Sequence, residues 1–259
     1  MEFERHCDLI VEQADLLAGH LTGRPGPDLG TAVLSCPGWN VGQLVRHVGG
    51  AHREATVIAQ TGVAPPEDEF RDPTHWYTGR CTEAEVQDLR EWVTAGARDL
   101  AKALQEAGPD VAIQMPMEDP TTRFTARRMA HETAIHRADA ALALGVPYVL
   151  DAEVAADAID EWMELGTLPL HFEVHPWMRE LLGPGRTLKF EATDLERSWL
   201  VDLTGDAIRW RHSDEPAAVT SRGPVTELLL HLYKRRDGRI EVQGDKDLLD
   251  YYLERVSFG

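Results

Sequence analysis

Four segments in the first half of the chain carry apolar side chains at the spacing of three and four residues that is typical of an amphipathic helix. Each segment is followed by a glycine, a proline or both, which are the residues that most often end a helix. Four helices of similar length, each with one apolar face, predict a four-helix bundle. The predicted helices are residues 4–21, a segment beginning after Asn40, a segment from Thr82 to Gly108, and residues 124–144.

Two of these helices begin at a recognisable cap. Asn40 is followed three residues later by Gln43, and Thr82 by Glu85. At this spacing each side chain can bond to the backbone of the other residue. The helix after Asn40 places His47 on its apolar face, where an imidazole needs a polar partner.

After residue 150 the helical spacing gives way to the alternation that is typical of strands. We therefore expect two domains, residues 1–150 and 151–259, with an antiparallel α+β arrangement in the second. The elements predicted there are a helix from Asp151 to Gly166, strands near residues 188–192, 199–203 and 208–210, a helix after Gly223-Pro224 and a helix from Asp245 to Arg255.

The strongest chemical signal lies in the fourth predicted helix, in residues 127–139. Glu132 and His136 are four residues apart, so their side chains share one face of the helix and can reach one cation. The adjacent His131 is five residues from His136, whereas a zinc-protease helix has its two histidines four apart. If a metal binds, this segment supplies two ligands and the third comes from another part of the chain, where the inward-facing His47 is the candidate. The alternative is that the buried Glu and His side chains pair with each other without a metal.

Two further histidine groups carry a weaker signal. His171, Glu173 and His175 alternate between two prolines and would share a face in a strand, although we expect a loop there. His52 lies five residues after His47, on a different face of the same predicted helix. It could line a pocket, but a solvated ring is the simpler expectation.

The cysteines indicate a reducing compartment rather than disulfide bonds. Cys7, Cys36 and Cys81 are scattered, odd in number and outside any CxxC spacing. Cys36 has no positioned base beside it and is interpreted as a small structural thiol. Trp39 and Trp92 are expected in the core.

Composition excludes several classes of partner. The formal net charge is −18, which argues against nucleic acid or an anionic membrane surface. No apolar run approaches the ~20 residues that span a bilayer, and the N-terminus has no secretory signal pattern. We expect a cytoplasmic protein.

Three stretches resemble the mycothiol-dependent maleylpyruvate isomerase family of actinobacteria, which is part of the DinB-like superfamily. They are Cys36–Val41 running into Leu44–Gly50, residues 128–140, and Arg222–Leu232, the last of which is similar to the sterol-carrier-like domain of that family. The resemblance covers nearly the whole chain. It implies an N-terminal DinB-like four-helix bundle followed by a small sterol-carrier-like α+β domain.

The resemblance also implies a divalent metal held by His47, Glu132 and His136. Zinc is the usual metal, and nickel, iron or manganese are alternatives. Two nitrogens and one carboxylate leave coordination positions open, as in catalytic sites, and family members use these positions for a thiol, mycothiol. Asp139 is expected to support His136, and we assign His52 to the cofactor pocket.

The expected partners are a small electrophile and a thiol, in a monomer or homodimer. In the isomerase reaction the thiolate would add to the double bond of maleylpyruvate, allow rotation and leave, and S-transfer is a related possibility. The resemblance implies that Arg235 binds the substrate carboxylates. Arg236 is the alternative, because Lys234 replaces the glycine of the family's Gly-Arg pair and the register can therefore shift by one residue. Two alternatives are metal-assisted hydrolysis and a non-catalytic bundle that binds an apolar ligand.

Overall fold

The computed structural model describes residues 1–22, 29–66, 83–114, 120–235 and 239–256. The chain divides into two compact units, Met1–Tyr148 and Val149–Gly259. Three residues named above lie outside the described part of the chain: the predicted cap Thr82, the thiol Cys81 and Arg236.

Within the described residues, the first unit is a bundle of four helices. The helices are α1 (Phe3–His20), α2 (Val41–Thr61), α3 (Glu83–Ala107) and α4 (Thr122–Leu144). Helix α1 packs against α3 and α4, and α2 packs against the same two helices. Their apolar faces form the core, as the helical spacing predicts.

The start of α2 is fixed by the predicted capping box. The backbone N–H of Gln43 donates to Asn40 Oδ1, and that of Asn40 donates to Gln43 Oε1, both at 2.9 Å. The C-terminal end of α4 also follows the prediction, since Gly145 adopts a left-handed φ of 64° just after the last helical residue. Local sequence therefore sets the start of α2 and the end of α4, the two helices that carry the predicted ligands.

A close approach holds α2 against α3. A Cβ at Gly49 would lie 2.3 Å from the Trp92 ring, so only glycine fits there. The Trp92 indole N–H donates to Arg46 O at 3.1 Å, and the Arg53 guanidinium stacks 3.3 Å from the ring centroid. Trp92 is consequently half-buried under these arginines rather than enclosed in the core, which corrects the expectation for this residue.

The second unit combines a five-stranded mixed sheet with helices. The elements are α5 (Ala152–Gly166), α6 (Leu170–Val174), a 3-10 helix (Pro176–Leu181), β1 (Thr187–Ala192), β2 (Ser198–Asp202), β3 (Arg209–His212), β4 (Val219–Gly223), α7 (Val225–Leu232), β5 (Glu241–Gly244) and α8 (Lys246–Arg255). The strand order is β3-β2-β1-β4-β5, in which β1 and β4 are parallel and the other neighbouring pairs are antiparallel. The α+β class is therefore confirmed.

Two expectations for this unit are wrong. Strands β4 and β5 were not predicted, because their sequences are largely polar. The parallel pairing of β4 with β1 makes the sheet mixed rather than antiparallel. His171 and Glu173 lie in the short helix α6, not in a loop or a strand, so alternation does not bring them onto one face.

Helix α7 ends in a left-handed turn that is built from a non-glycine residue. Lys234 has a φ of 57°. The backbone N–H of Arg235 donates to Leu230 O at 2.7 Å, and that of Lys234 donates to His231 O at 2.9 Å, which is the pattern of a Schellman motif. Lys234 thus adopts a backbone conformation that glycine enters more readily than any other residue.

We expect Lys234→Gly to stabilise the protein by about 1 kcal/mol, because glycine avoids the steric cost of the left-handed conformation. Urea unfolding measures the change. Gly145→Ala is the matched control, since its φ is 64° and nothing lies within 4 Å of the added Cβ. The Gly145→Ala variant should lose a similar amount of stability. An unchanged urea midpoint for Lys234→Gly would show that the turn carries no strain.

Among the described residues, no helix is long and apolar enough to span a membrane.

Candidate metal site

The structure brings three predicted ligands, His47 from α2 and Glu132 and His136 from α4, to one place in the bundle. Oε1 of Glu132 lies 3.0 Å from His136 Nε2 and 3.7 Å from His47 Nε2. The candidate ligand atoms of all three residues lie within 4.8 Å of one another. Helices α2 and α4 thus bring together three candidate ligands, of which the four-residue spacing predicted only Glu132 and His136.

The dimensions of this cluster suit a small divalent cation. Donors at ~2.0–2.1 Å from a tetrahedral zinc ion lie about 3.4 Å apart, between the two Oε1 distances seen here. Two imidazoles and one carboxylate are also a donor set that zinc and other first-row metals accept. The residues present therefore fit the metal that the resemblance implies.

Arg128 holds the carboxylate of Glu132 in place. Its guanidinium bonds to Oε2 from one turn earlier on α4, which leaves Oε1 facing the histidines. Burial alone would raise the pKa of Glu132, but the positive charges of Arg128 and His136 outweigh it and hold that pKa well below the ordinary value. Glu132 is therefore an anion, as a metal ligand must be.

His136 is held from its other nitrogen by Asp139. Nδ1 lies 2.9 Å from Asp139 Oδ2, and the aspartate is fully buried. Burial would lower the pKa of His136, but Glu132, Asp139 and Cys36 together raise it well above the ordinary value. A carboxylate on the far nitrogen is the usual way to orient a metal-binding histidine, because it leaves Nε2 to face the cation.

The segment between α1 and α2 contacts both histidine ligands. The Ser35 hydroxyl donates to Asp139 Oδ1 at 2.6 Å, and the Cys36 thiol lies 3.4 Å from Asp139 Oδ2. On the other side, the Trp39 ring meets His47 edge-on at 4.8 Å between centroids. Trp39 is half-buried, which corrects the expectation of a core tryptophan. The bond from Cys36 to a buried carboxylate is compatible with the interpretation of Cys36 as a structural thiol.

His131 lies outside this cluster, as its spacing indicated. The ring is fully buried and meets His6 of α1 at 5.7 Å, on another face of α4. The zinc-protease arrangement of histidines is therefore not formed here.

His52 is enclosed in the bundle, so the expectation of a solvated ring is wrong. It is 1% exposed, and its Nε2 lies 2.8 Å from Thr133 Oγ1 on α4. The Thr133 hydroxyl itself donates to Met129 O at 2.6 Å. Contact with a cofactor would require the ring to leave this position, and its assignment to the cofactor pocket stays a prediction.

Arg235, the predicted substrate-binding residue, is half-buried in the second unit. One of its terminal nitrogens donates to Tyr233 O at 2.8 Å, so the side chain folds back onto the end of α7. Its role in binding substrate stays a prediction.

Sequence reasoning missed two residues of the site. Arg128 could have been found, because it precedes Glu132 by four residues, the spacing of a helical ion pair. Ser35 could not, because 104 residues separate it from Asp139 and no local pattern links them.

Comparison with known proteins gives a matching family and related solved structures. The profile of the family described as "Mycothiol maleylpyruvate isomerase N-terminal domain" matches residues 10–141, which include all three candidate ligands. A crystal structure of the mycothiol-dependent maleylpyruvate isomerase, and one of a point mutant of it, each share 14% sequence identity with this chain. Each matches at a TM-score of 0.59 over 94% of this chain and 93% of the other.

A search of proteins with curated function gave no match. At 14% identity the two crystal structures establish a shared fold. The family profile carries the assignment further, because it spans more than half of the 259 residues. The chain therefore belongs to the mycothiol maleylpyruvate isomerase N-terminal domain family.

Proposed function

We propose that this protein is a metal-dependent enzyme that uses a low-molecular-weight thiol, mycothiol, to isomerise a small electrophile of the maleylpyruvate type. The observation that carries the proposal is the convergence of His47, Glu132 and His136 around one point. Membership of the family and the fold shared with the maleylpyruvate isomerase structures support it.

The protein's part is to hold the cation and keep it reactive. A metal would replace the proton on Nε2 of His136, so both histidines would bind as neutral rings and Glu132 would supply the one negative charge. A divalent ion would therefore keep a net positive charge and open coordination positions. When bound, the metal lowers the pKa of a thiol and so makes available the thiolate that adds to an activated double bond.

The cluster is open on one side and closed on the other. The side chains of His47 and Glu132 are 26% and 22% exposed, whereas that of Asp139 is fully buried. Small reactants can therefore approach from the side of His47 and Glu132. The buried side keeps water away from the bonds that orient His136.

The charges around the cluster favour an anionic reactant. Arg128 balances Glu132, so a bound divalent ion would keep more positive charge than the second carboxylate of the site, Asp139, offsets. This would make the cluster locally positive within a chain whose net charge is −18. A thiolate or a substrate carboxylate would be attracted to it. We propose that Arg235 holds one substrate carboxylate through paired N–H donors.

The test begins with protein freed of metal by a chelator. Zinc, nickel, iron(II) and manganese are titrated back, and the cis–trans isomerisation of maleylpyruvate is followed with and without mycothiol. We expect one equivalent of metal to bind and activity to require both metal and thiol. Activity without thiol, or a hydrolysed product, would favour metal-bound water as the nucleophile. Absence of metal binding would overturn the proposal.

A further inference from the structure

We propose that Ser35 and Cys36 are positioning residues for His136, acting through Asp139. This inference rests on the proposed metal site. It assigns a role to the Ser35-Cys36-Pro37-Gly38-Trp39 segment, which contributes no metal ligand among those described above.

The carboxylate of Asp139 is the centre of the arrangement. It is fully buried and takes a hydrogen bond on each oxygen from the Ser35–Cys36 pair, at 2.6 Å on Oδ1 and 3.4 Å on Oδ2. Oδ2 also faces His136 Nδ1 at 2.9 Å. A buried carboxylate needs such donors to satisfy its oxygens, and they also fix its orientation. The direction in which it faces His136 is therefore set by residues more than 100 positions away in sequence.

The segment that supplies these donors is itself rigid. Backbone N–H groups donate from Val33 to Trp39 O at 2.9 Å, from Cys36 to Val33 O at 3.0 Å and from Trp39 to Cys36 O at 3.1 Å. Ala32 and Asn40 pair across its base, directly before α2 begins. Because Asn40 also caps α2, the segment and the helix that carries His47 are fixed to each other.

This arrangement has a direct consequence for the metal. With Nδ1 bonded to a carboxylate, the imidazole directs Nε2 towards Glu132 Oε1 and cannot turn its ring over. Loss of the Ser35 hydroxyl removes a 2.6 Å hydrogen bond from Asp139 Oδ1, so the orientation of the carboxylate, and with it that of His136, is less restricted. Cys36 should matter less, because a thiol is a weak hydrogen-bond donor.

The experiment compares zinc affinities, measured by competition with a chromophoric chelator, for the wild type and four variants. Ser35→Ala should weaken binding by about tenfold, the lower end of the effect typical of partners that support a metal ligand. Cys36→Ala should have a smaller effect, and Ser35→Thr, which keeps the hydroxyl, should restore most of the affinity. Thr94→Ala is the control, because it removes a hydroxyl that bonds to Arg90 O on α3.

The spectrum of a cobalt-substituted protein gives a second readout, which a purely structural role for Ser35 would leave unchanged. We expect its d–d bands to shift in Ser35→Ala and not in Thr94→Ala. If the wild type binds metal and Ser35→Ala binds it with equal affinity and an unchanged spectrum, the positioning role is refuted while the metal site stands. If the wild type binds no metal, the proposed function itself fails.

Discussion

A His47→Ala protein is expected to stay folded and to bind divalent metal more than about 100-fold more weakly than the wild type. Loss of a residue that merely supports a ligand typically costs ~10–100-fold, so removal of a ligand should exceed that range. His47 is the best of the three ligands to remove. Its side chain is 26% exposed, and its loss leaves Glu132 paired with Arg128 and with His136.

Glu132 is a poorer choice, because its removal would leave Arg128 and His136 without their shared partner inside the bundle.

Calorimetric titration of the metal-free His47→Ala protein measures its metal affinity, and urea unfolding checks the fold. His212→Ala is the matched control, since this half-exposed histidine of β3 lies in the other unit. Wild-type affinity and stoichiometry in His47→Ala would remove His47 from the ligand set.

The part of this site that sequence could predict is the part that depends on local periodicity. The four-residue spacing of Glu132 and His136 places both on one face whatever the helix packs against. The apolar stripe of α2 likewise directs His47 inward, and the Asn40–Gln43 pair marks where that helix begins. Helices, caps and the main ligand set therefore follow from short-range patterns.

The part that could not be predicted depends on contacts between distant segments. Ser35 reaches Asp139 only because the loop before α2 lies against α4. His52 was expected in solvent because its offset from His47 places it on another face of α2. That helix packs against both α3 and α4, so two of its faces are buried and a single apolar stripe does not describe it.

The burial of His52 should make the folded protein less stable in acid. Burial lowers the pKa of His52 from 6.5 to about 4. As the pH falls below 6.5, the unfolded chain takes up a proton at this residue while the folded protein does not. Stability must therefore fall as the pH is lowered, by about 2 kcal/mol between pH 7.5 and pH 5 from this residue alone.

Other groups titrate differently over the same range. His20 and His171 also have lowered pKa values and add to the loss. The raised pKa of His136 acts in the opposite direction above pH 6.5, and the lowered pKa of Glu132 matters only nearer its ordinary value of 4.5. The effect of His52 must therefore be measured as a difference between two proteins.

His52→Gln provides that difference. Its side-chain amide can still bond to the Thr133 hydroxyl at the position where Nε2 now lies, but it does not titrate. Urea unfolding of the metal-free proteins at pH 7.5, 6 and 5 should show the wild type losing about 2 kcal/mol more than the variant. Parallel losses in the two proteins would mean that His52 takes up its proton in the folded state. The ring would then have access to water, and a place for it in the cofactor pocket would gain support.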